Sequence, residues 1–482
     1  MSQEFYTNCV TVGNRVLYRG YKNGSRVHRS IEYKPSLFIS SNKSSKFKTL
    51  EGKSVEKIEF SGIEDAREFL KKYESIDNFT VYGNTNYHYC YLSDTFTGQV
   101  DYDPNQVKVM FLDIETSYED GFPNPQSVQE PVIAITIKLK DKFYVYGTKE
   151  FKTEDKNVFY FKCDDEKDLL SRFVQKWQEL DPDIISGWNI EEFDIPYLIN
   201  RISRVLSEKD SNSLSPWKRL RTRKVKLQGR EYDNFELIGI STLDYLQMYR
   251  KFVGTAENYK LNTIAQMELG EGKVQGDMRD MYHNDHQKFI EYNIQDVALV
   301  AKIDQKMGLI QMLCAIAYDA KVNIVDTFAQ VRLWDTIIFN DFRPKHLVMP
   351  QKAKHDKETR YAGAFVKEPK VGMHKWVASF DLDSLYPHLL AQYNISPEML
   401  VPGAFKTTDL DKLLKKEYDL SYLKERGLTM AANGHHFKTD KEGFLPAILM
   451  RMYQDRKVYK NKMLDSQNEL ERVEAEFKRR GL

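Results

Sequence analysis

The chain has 482 residues, its 71 basic and 70 acidic side chains cancel to +1, and 41% of it is hydrophobic. That is the make-up of a soluble, globular protein of about three domains at roughly 150 residues each, and wholesale disorder is excluded. A mean hydropathy of −0.57, with no run near the roughly 18 apolar residues of a membrane span, excludes a helical membrane protein, and the charge balance excludes a uniformly basic nucleic-acid coat.

The N-terminus, MSQEFYTNCVTVGNRVLYRGY, alternates polar and apolar residues where a signal peptide would carry an apolar block, so nothing marks it for export. Cys9, Cys90, Cys163 and Cys314 lie far apart with no CxxC pair, which argues for a reducing compartment and against a disulfide framework or zinc knuckle. Residues 5–39 read as short strands, with a turn at GYKNGSR and a further strand in EYKPSLF.

From Val107 the pattern becomes α/β. KVMFLDIE, VIAITIKL and FYVYG read as strands, DEKDLLSRFVQKWQEL as an amphipathic helix, and PDIISGW as another strand. Strands alternating with helices imply a layered sheet. The basic run from Lys218 to Arg230, which includes Arg219, Arg221 and Arg223, is a candidate DNA-contacting hairpin before ELIGISTLDY. One long helical stretch is expected after His283, through YNIQDVALVAKIDQKMGLIQMLCAIAY. The polar run PQKAKHDKETR marks the main boundary, ahead of a strand and helix at WVASFDLDSLYPHLLAQY and a charged C-terminal helix.

Four acids stand out by context. Asp113 and Glu115, at i and i+2 of an apolar strand, leave one face and could share a cation that takes several hard oxygen ligands. Buried carboxylates are tolerated mainly when paired or bound to metal. Asp194 opens the helical segment IPYLINRI, where an ordinary N-cap is the plain alternative. Tyr292 and Asp296 lie one helical turn apart, the plain alternative being an exposed Asp beside a core Tyr. In the second half, Asp381 ends an expected apolar strand in SFDLDSLYP, and Arg456 and Lys460 put two cations on one helix face.

The ordered set DxE, NxxxFD, YxxxD resembles the proofreading 3′–5′ exonucleases of the DEDD class that carry Tyr in the third motif. SFDLDSLYP resembles motif A of family B DNA polymerases, and YAGAFVKEP (Tyr361 to Pro369) their YxG motif. With EYKPSLF, LSDTF, DGFP, SGWN and FDIPY, the chain is similar to the replicative polymerases of T-even-like phages over essentially all of its length. The resemblance implies an RNase H-like sheet on which Asp113, Glu115, Asp194 and Asp296 hold two magnesium or manganese ions, with Tyr292 positioning the attacking water. It also implies Asp381 and the Leu382 carbonyl as ligands of two further ions at the completed polymerase site. Leu382, Ser384, Leu385, Tyr386, Arg456 and Lys460 would bind the incoming dNTP, Tyr386 excluding a 2′-hydroxyl, while Asp383 is a bystander.

The expected fold is multi-domain α/β. A β-rich N-terminal domain at 1–106 is completed by 312–352, the exonuclease occupies 107–311, a partial palm 353–445, and the first fingers helix 446–482. No KxxxNSxYG or YGDTDS motif follows Asp381, and the YGNTN at Tyr82 has Asn where both acids should be. The implied protein is the N-terminal subunit of a split polymerase, or a truncated one, acting in the cytoplasm of a bacterial host. Its partners would be primer-template DNA, a single-stranded 3′ end, dNTP, a C-terminal chain with the missing motifs and, through that chain, a sliding clamp. A free-standing 3′–5′ exonuclease with a vestigial palm and a nucleic-acid-binding regulatory protein are the rival readings.

Overall fold

The computed structural model describes all residues except 1–3, 75, 77–78, 118–122, 228–229, 273–275, 277, 352–365, 406–407 and 481–482. Tyr361–Phe365 of YAGAFVKEP, Asp120–Phe122 of DGFP, the tip of the basic hairpin and most of the PQKAKHDKETR run therefore lie outside the described residues. The chain divides into two units, Met1–Lys352 and Ala353–Leu482.

The first unit begins with β1 (Glu4–Val12), β2 (Arg15–Lys22) and β3 (Ser25–Glu32), an antiparallel meander in chain order. Lys22 pairs with Ser25, so only Asn23 and Gly24 make the second turn, both at positive φ (50° and 79°). The Asn-Gly pair suits that turn because neither residue resists the left-handed region and the turn's twist matches that of the strands. A second small sheet has the order β5-β4-β6, from β4 (Ser36–Ser40), β5 (Val55–Glu59) and β6 (Val81–Tyr82), with α1 (Ile63–Tyr73) before β6 and α2 (Tyr87–Thr95) after it.

The central sheet is built from β7 (Val109–Thr116), β8 (Val132–Leu139), β9 (Lys142–Gly147), β10 (Val158–Lys162), β11 (Ile184–Gly187) and β14 (Ser241–Asp244). Its order is β10-β9-β8-β7-β11-β14, antiparallel across β7, β8 and β9 and parallel at both edges. Between β10 and β11 runs α3 (Glu166–Leu180), whose N-cap Asp165 accepts from the Asp168 N–H at 2.8 Å. Its Leu169, Leu170, Phe173, Val174 and Trp177 recur at helical spacing and are buried. Such side chains contribute about 1.5–3 kcal/mol each on burial.

After β11 come α4 (Asp194–Val205), α5 (Glu208–Asn212) and a hairpin of β12 (Leu220–Leu227) with β13 (Arg230–Leu237). Beyond β14 follow α6 (Tyr245–Phe252), α7 (Leu261–Leu269), α8 (Met278–Asn284), α9 (His286–Met307), α10 (Leu309–Ala320) and α11 (Gln330–Phe342). The single long helix expected after His283 is two helices. Gly308, at φ 64°, ends α9 in the left-handed conformation that glycine adopts without cost, and the chain restarts as α10. That restart returns the chain to the N-terminal meander: the Tyr6 hydroxyl donates to the carbonyls of Ala317 (3.1 Å) and Val322 (2.8 Å), and the Asn323 amide brackets both backbone groups of Cys9.

In the second unit, α12 (Leu385–Tyr393) ends at Asn394, whose amide donates to the carbonyls of Lys438 (2.7 Å) and Lys441 (2.9 Å). An antiparallel sheet of order β15-β17-β16 follows, made of β15 (Leu400–Phe405), β16 (Leu428–Met430) and β17 (His435–Lys438), with the short α13 (Leu410–Leu414) and α14 (Ser421–Glu425) between the first two strands. The unit closes on α15 (Phe444–Arg480), and Met399, Phe437 and Ile448 are buried. Among the described residues no helix is long and apolar enough to cross a membrane.

Candidate active site

Strand β7 separates its side chains by parity. Met110, Leu112 and Ile114 enter the core shared with α3 and α4. Phe111 joins a different core, with Val297 and Val300 of α9, so Asp113 and Glu115 emerge on the α9 side of the sheet. On α9, Asp296 faces the same region, and ligand oxygens of Asp113, Glu115 and Asp296 all lie within 4.8 Å of one another. Glu115 and Asp296 are buried and Asp113 is half-buried, so the plain reading of Asp296 as an exposed acid does not hold. Tyr292, one turn earlier, packs against the core of Ile133, Val145, Phe289 and Ile290.

Asp194 does not cap its own helix: the N-cap residue of α4 is Phe193, and the Asp194 carboxylate instead accepts from the Ile114 N–H at 3.1 Å. That bond seats it on β7 between Asp113 and Glu115, although it is not one of the three acids within 4.8 Å of one another. Burial pushes its carboxyl pKa up; the Asp244 and Asp296 charges add to this and the Ile114 N–H opposes it. A raised pKa is the expected response of a carboxylate taken out of water beside other carboxylates.

Sequence reasoning passes over Asp244. At the end of β14 it is buried and accepts from the N–H groups of Asn189 (3.1 Å), Glu191 (3.2 Å) and Leu246 (2.9 Å), which ties the loop carrying SGWNIEEFD to the sheet. The signal that could have found it is the one used for Asp113: an acid closing an apolar strand, here ISTLD. Burial, with the nearby Asp244 and Glu192 charges, also pushes the Glu191 carboxyl up to about 7.

The polymerase-like residues lie in the second unit. The expected apolar strand ending at Asp381 is not formed: residues 373–382 are irregular and open to solvent, with Trp376 100%, Phe380 92% and Leu382 69% exposed. The physical reason is pairing. No described strand hydrogen-bonds to this segment, and an apolar stretch without neighbouring strands has neither a ladder nor a face to bury. Ser384 sits at φ 53° before α12, and Tyr386 is exposed on that helix. Asp383 accepts from the Tyr453 hydroxyl of α15 at 3.1 Å, and His388 meets the Tyr453 ring edge-on. Arg456 and Lys460 are exposed one turn apart on α15. Among the described residues no second cluster of three acids, Cys or His surrounds Asp381.

Comparisons with known proteins agree in both halves. The family model for the DNA polymerase family B exonuclease domain matches residues 76–264, and that for DNA polymerase family B matches 323–479. Over 499 residues the chain is 34% identical to the DNA-directed DNA polymerase of Escherichia phage RB69, covering 96% of this chain and 54% of that one. It is 32% identical over 509 residues to that of Enterobacteria phage T4, covering 98% and 55%, and 24% identical over 391 residues to a DNA polymerase of Pyrococcus glycovorans, covering 78% and 46%. The chain thus spans about half the length of the phage relatives it matches. Tyr292 and Asp296 lie outside the 76–264 match, and it is α9 that carries Asp296 to the other acids.

Proposed function

The chain belongs to the family B DNA polymerases, and from that premise we propose that residues 107–311 are a metal-dependent 3′–5′ exonuclease on an RNase H-like sheet, proofreading single-stranded 3′ ends of DNA. The observation that carries this reading is the cluster of Asp113, Glu115 and Asp296 in a chain whose residues 76–264 match the family exonuclease domain. The donor set is entirely carboxylate, which suits magnesium or manganese over zinc. Asp113, Glu115 and Asp296, with Asp194 of α4 held against β7 by the Ile114 N–H, would hold two ions. When bound, such ions lower the pKa of an attacking water and stabilise a leaving 3′-oxygen. The chain's own tasks are to hold the acids aimed inward, and to orient water from Tyr292, which lies one turn from Asp296 on the same helix face. Purified chain should shorten single-stranded DNA from its 3′ end in magnesium, and Asp113→Ala should lower that rate by several orders of magnitude. A wild-type chain that degrades no 3′ end in magnesium or manganese would reject the assignment.

We further read 1–106 with 312–352 as one N-terminal domain, 353–445 as part of a palm and 446–482 as the first fingers helix. The match over 323–479 supports a polymerase role, with Asp381 and the Leu382 carbonyl holding metal and Ser384, Leu385, Tyr386, Arg456 and Lys460 binding dNTP. In the finer reading a second polypeptide carrying KxxxNSxYG and YGDTDS supplies the other palm carboxylate and covers the apolar residues around Phe380. Primer extension should then appear only when that polypeptide is added, and Asp381→Ala should abolish it while sparing the exonuclease. Extension by these 482 residues alone would reject the split arrangement.

A further inference from the structure

Asp113 and Thr136 are direct cross-strand partners in β7 and β8, so their side chains leave the sheet together on the face covered by α9. Over them lies Asn293, three residues before Asp296 on that helix and, like Thr136, without solvent exposure. Its Nδ2 donates to Asp113 Oδ2 at 2.6 Å, and its Oδ1 accepts from the Thr136 hydroxyl. We propose that Asn293 is a positioning residue for Asp113, and that Thr136, by donating to its amide oxygen, anchors it there.

The chemistry of the three groups supports this. A carboxylate can only accept, so the amide must turn its NH2 toward Asp113, which leaves the amide oxygen facing Thr136. Turned over, the amide would set its oxygen against a carboxylate inside the protein, a buried loss that the Thr136 hydroxyl, able to accept as well as donate, would not repair. The bond to Asp113 is short and charge-assisted. It fixes the rotation of that carboxylate and delocalises part of its charge in a place where Glu115 and Asp296 oxygens lie within 4.8 Å. The inference rests on the exonuclease reading, in which Asp113 is a metal ligand. Groups that orient metal ligands typically set affinity as much as rate.

The test uses the full chain and Mn2+ alone, titrated by calorimetry without DNA. Asn293→Leu should weaken Mn2+ binding by about 10- to 100-fold, and its exonuclease rate should recover as Mn2+ is raised, a rescue that a folding defect would not show. Thr136→Val keeps shape and strand propensity, so it should fold even if Asn293→Leu does not, and should weaken binding by a smaller factor. In the double variant Thr136→Val should add nothing to Asn293→Leu, because the hydroxyl acts through the amide. A wild-type chain that binds Mn2+ tightly, with Asn293→Leu and Thr136→Val binding it equally well, overturns the inference and leaves Asn293 a buried amide of the fold. Additive losses in the double variant overturn the role given to Thr136. A wild-type chain that neither binds Mn2+ nor degrades a 3′ end in its presence overturns the exonuclease reading itself.

Discussion

Single side chains set two measurable responses. On the exonuclease reading, Tyr292→Phe should slow 3′-end degradation by less than Asp113→Ala, because it removes a water-orienting hydroxyl and no carboxylate; single-turnover rates on a single-stranded oligonucleotide compare the two. His88 sets a pH response. Its Nδ1 meets the Thr11 hydroxyl at 3.2 Å, and burial, opposed by the Asp326 charge and aided by Arg332 and Arg221, pushes its pKa down to about 4. The unfolded chain binds this proton near pH 6.5 and the folded chain only near 4. The stability that depends on neutral His88 is therefore full above pH 6.5 and lost as pH falls through 4. Thermal melts of His88→Gln should flatten between pH 6.5 and 4 relative to wild type, and parallel curves would assign the acid sensitivity elsewhere. The acids themselves are legible in the sequence because an ionisable residue flanked by Phe111, Leu112 and Ile114 is chemically conspicuous. Asn293 and Thr136 are not, since their meaning depends on the register that sets Thr136 opposite Asp113 and on α9 crossing above both.

Elements repeat that contrast between local and non-local information. The meander of β1 to β3 and helix α3 are legible because their turn residues, cap and apolar spacing are local. The segment around Phe380 reads as a strand by composition, yet a strand is completed by partners elsewhere in space, and no described strand pairs with it. The basic hairpin shows what register adds: Arg221 lies directly opposite Glu236, and Arg223 lies diagonally from it. Glu236 pairs with Arg221 at 3.1 Å and with Arg223 at 2.5 Å, which counts against the free positive charge inferred from sequence. Exposed pairs of this kind contribute about 0–1 kcal/mol, so their loss should leave the hairpin folded. Glu236→Gln should tighten single-stranded DNA binding and steepen its salt dependence. Neutralising Arg221 and Arg223 should weaken binding and make the slope shallower by roughly one unit per lost phosphate contact. Fluorescence anisotropy across a salt series measures both, and slopes unchanged in every variant would make the hairpin a bystander.

At the scale of the whole first unit, the N-terminal meander and the central sheet share one buried ionic junction. Arg19, with no exposed side chain, donates to the Gly239 carbonyl at 2.9 Å and to Asp181 at 2.7 Å, and lies 3.8 Å from Asp183. Asp183 also accepts from the Tyr21 hydroxyl and the Lys108 N–H, each at 3.0 Å, and pairs with Arg26. Burial raises its carboxyl pKa, but Arg19, Arg26 and the Lys108 N–H outweigh burial and hold it below the usual range. The position matters because Asp183 leads into β11, which pairs with β7 as far as Phe111, two residues short of Asp113. The N-terminal strands therefore brace the edge of the strand that carries Asp113 and Glu115. Asp183→Ala leaves Arg19 and Arg26 facing each other with less counter-charge, and removing one partner of a buried pair typically costs about 3–5 kcal/mol. The first unit of the variant should melt well below that of wild type, and it should do so in one transition, because the same junction anchors both of its sheets. Calorimetry reads the number of transitions, and exonuclease rate per folded molecule reads the link to β7. If Asp183→Ala instead melts in two steps, with the exonuclease surviving the first, the meander and the central sheet are separate bodies and the junction only joins them.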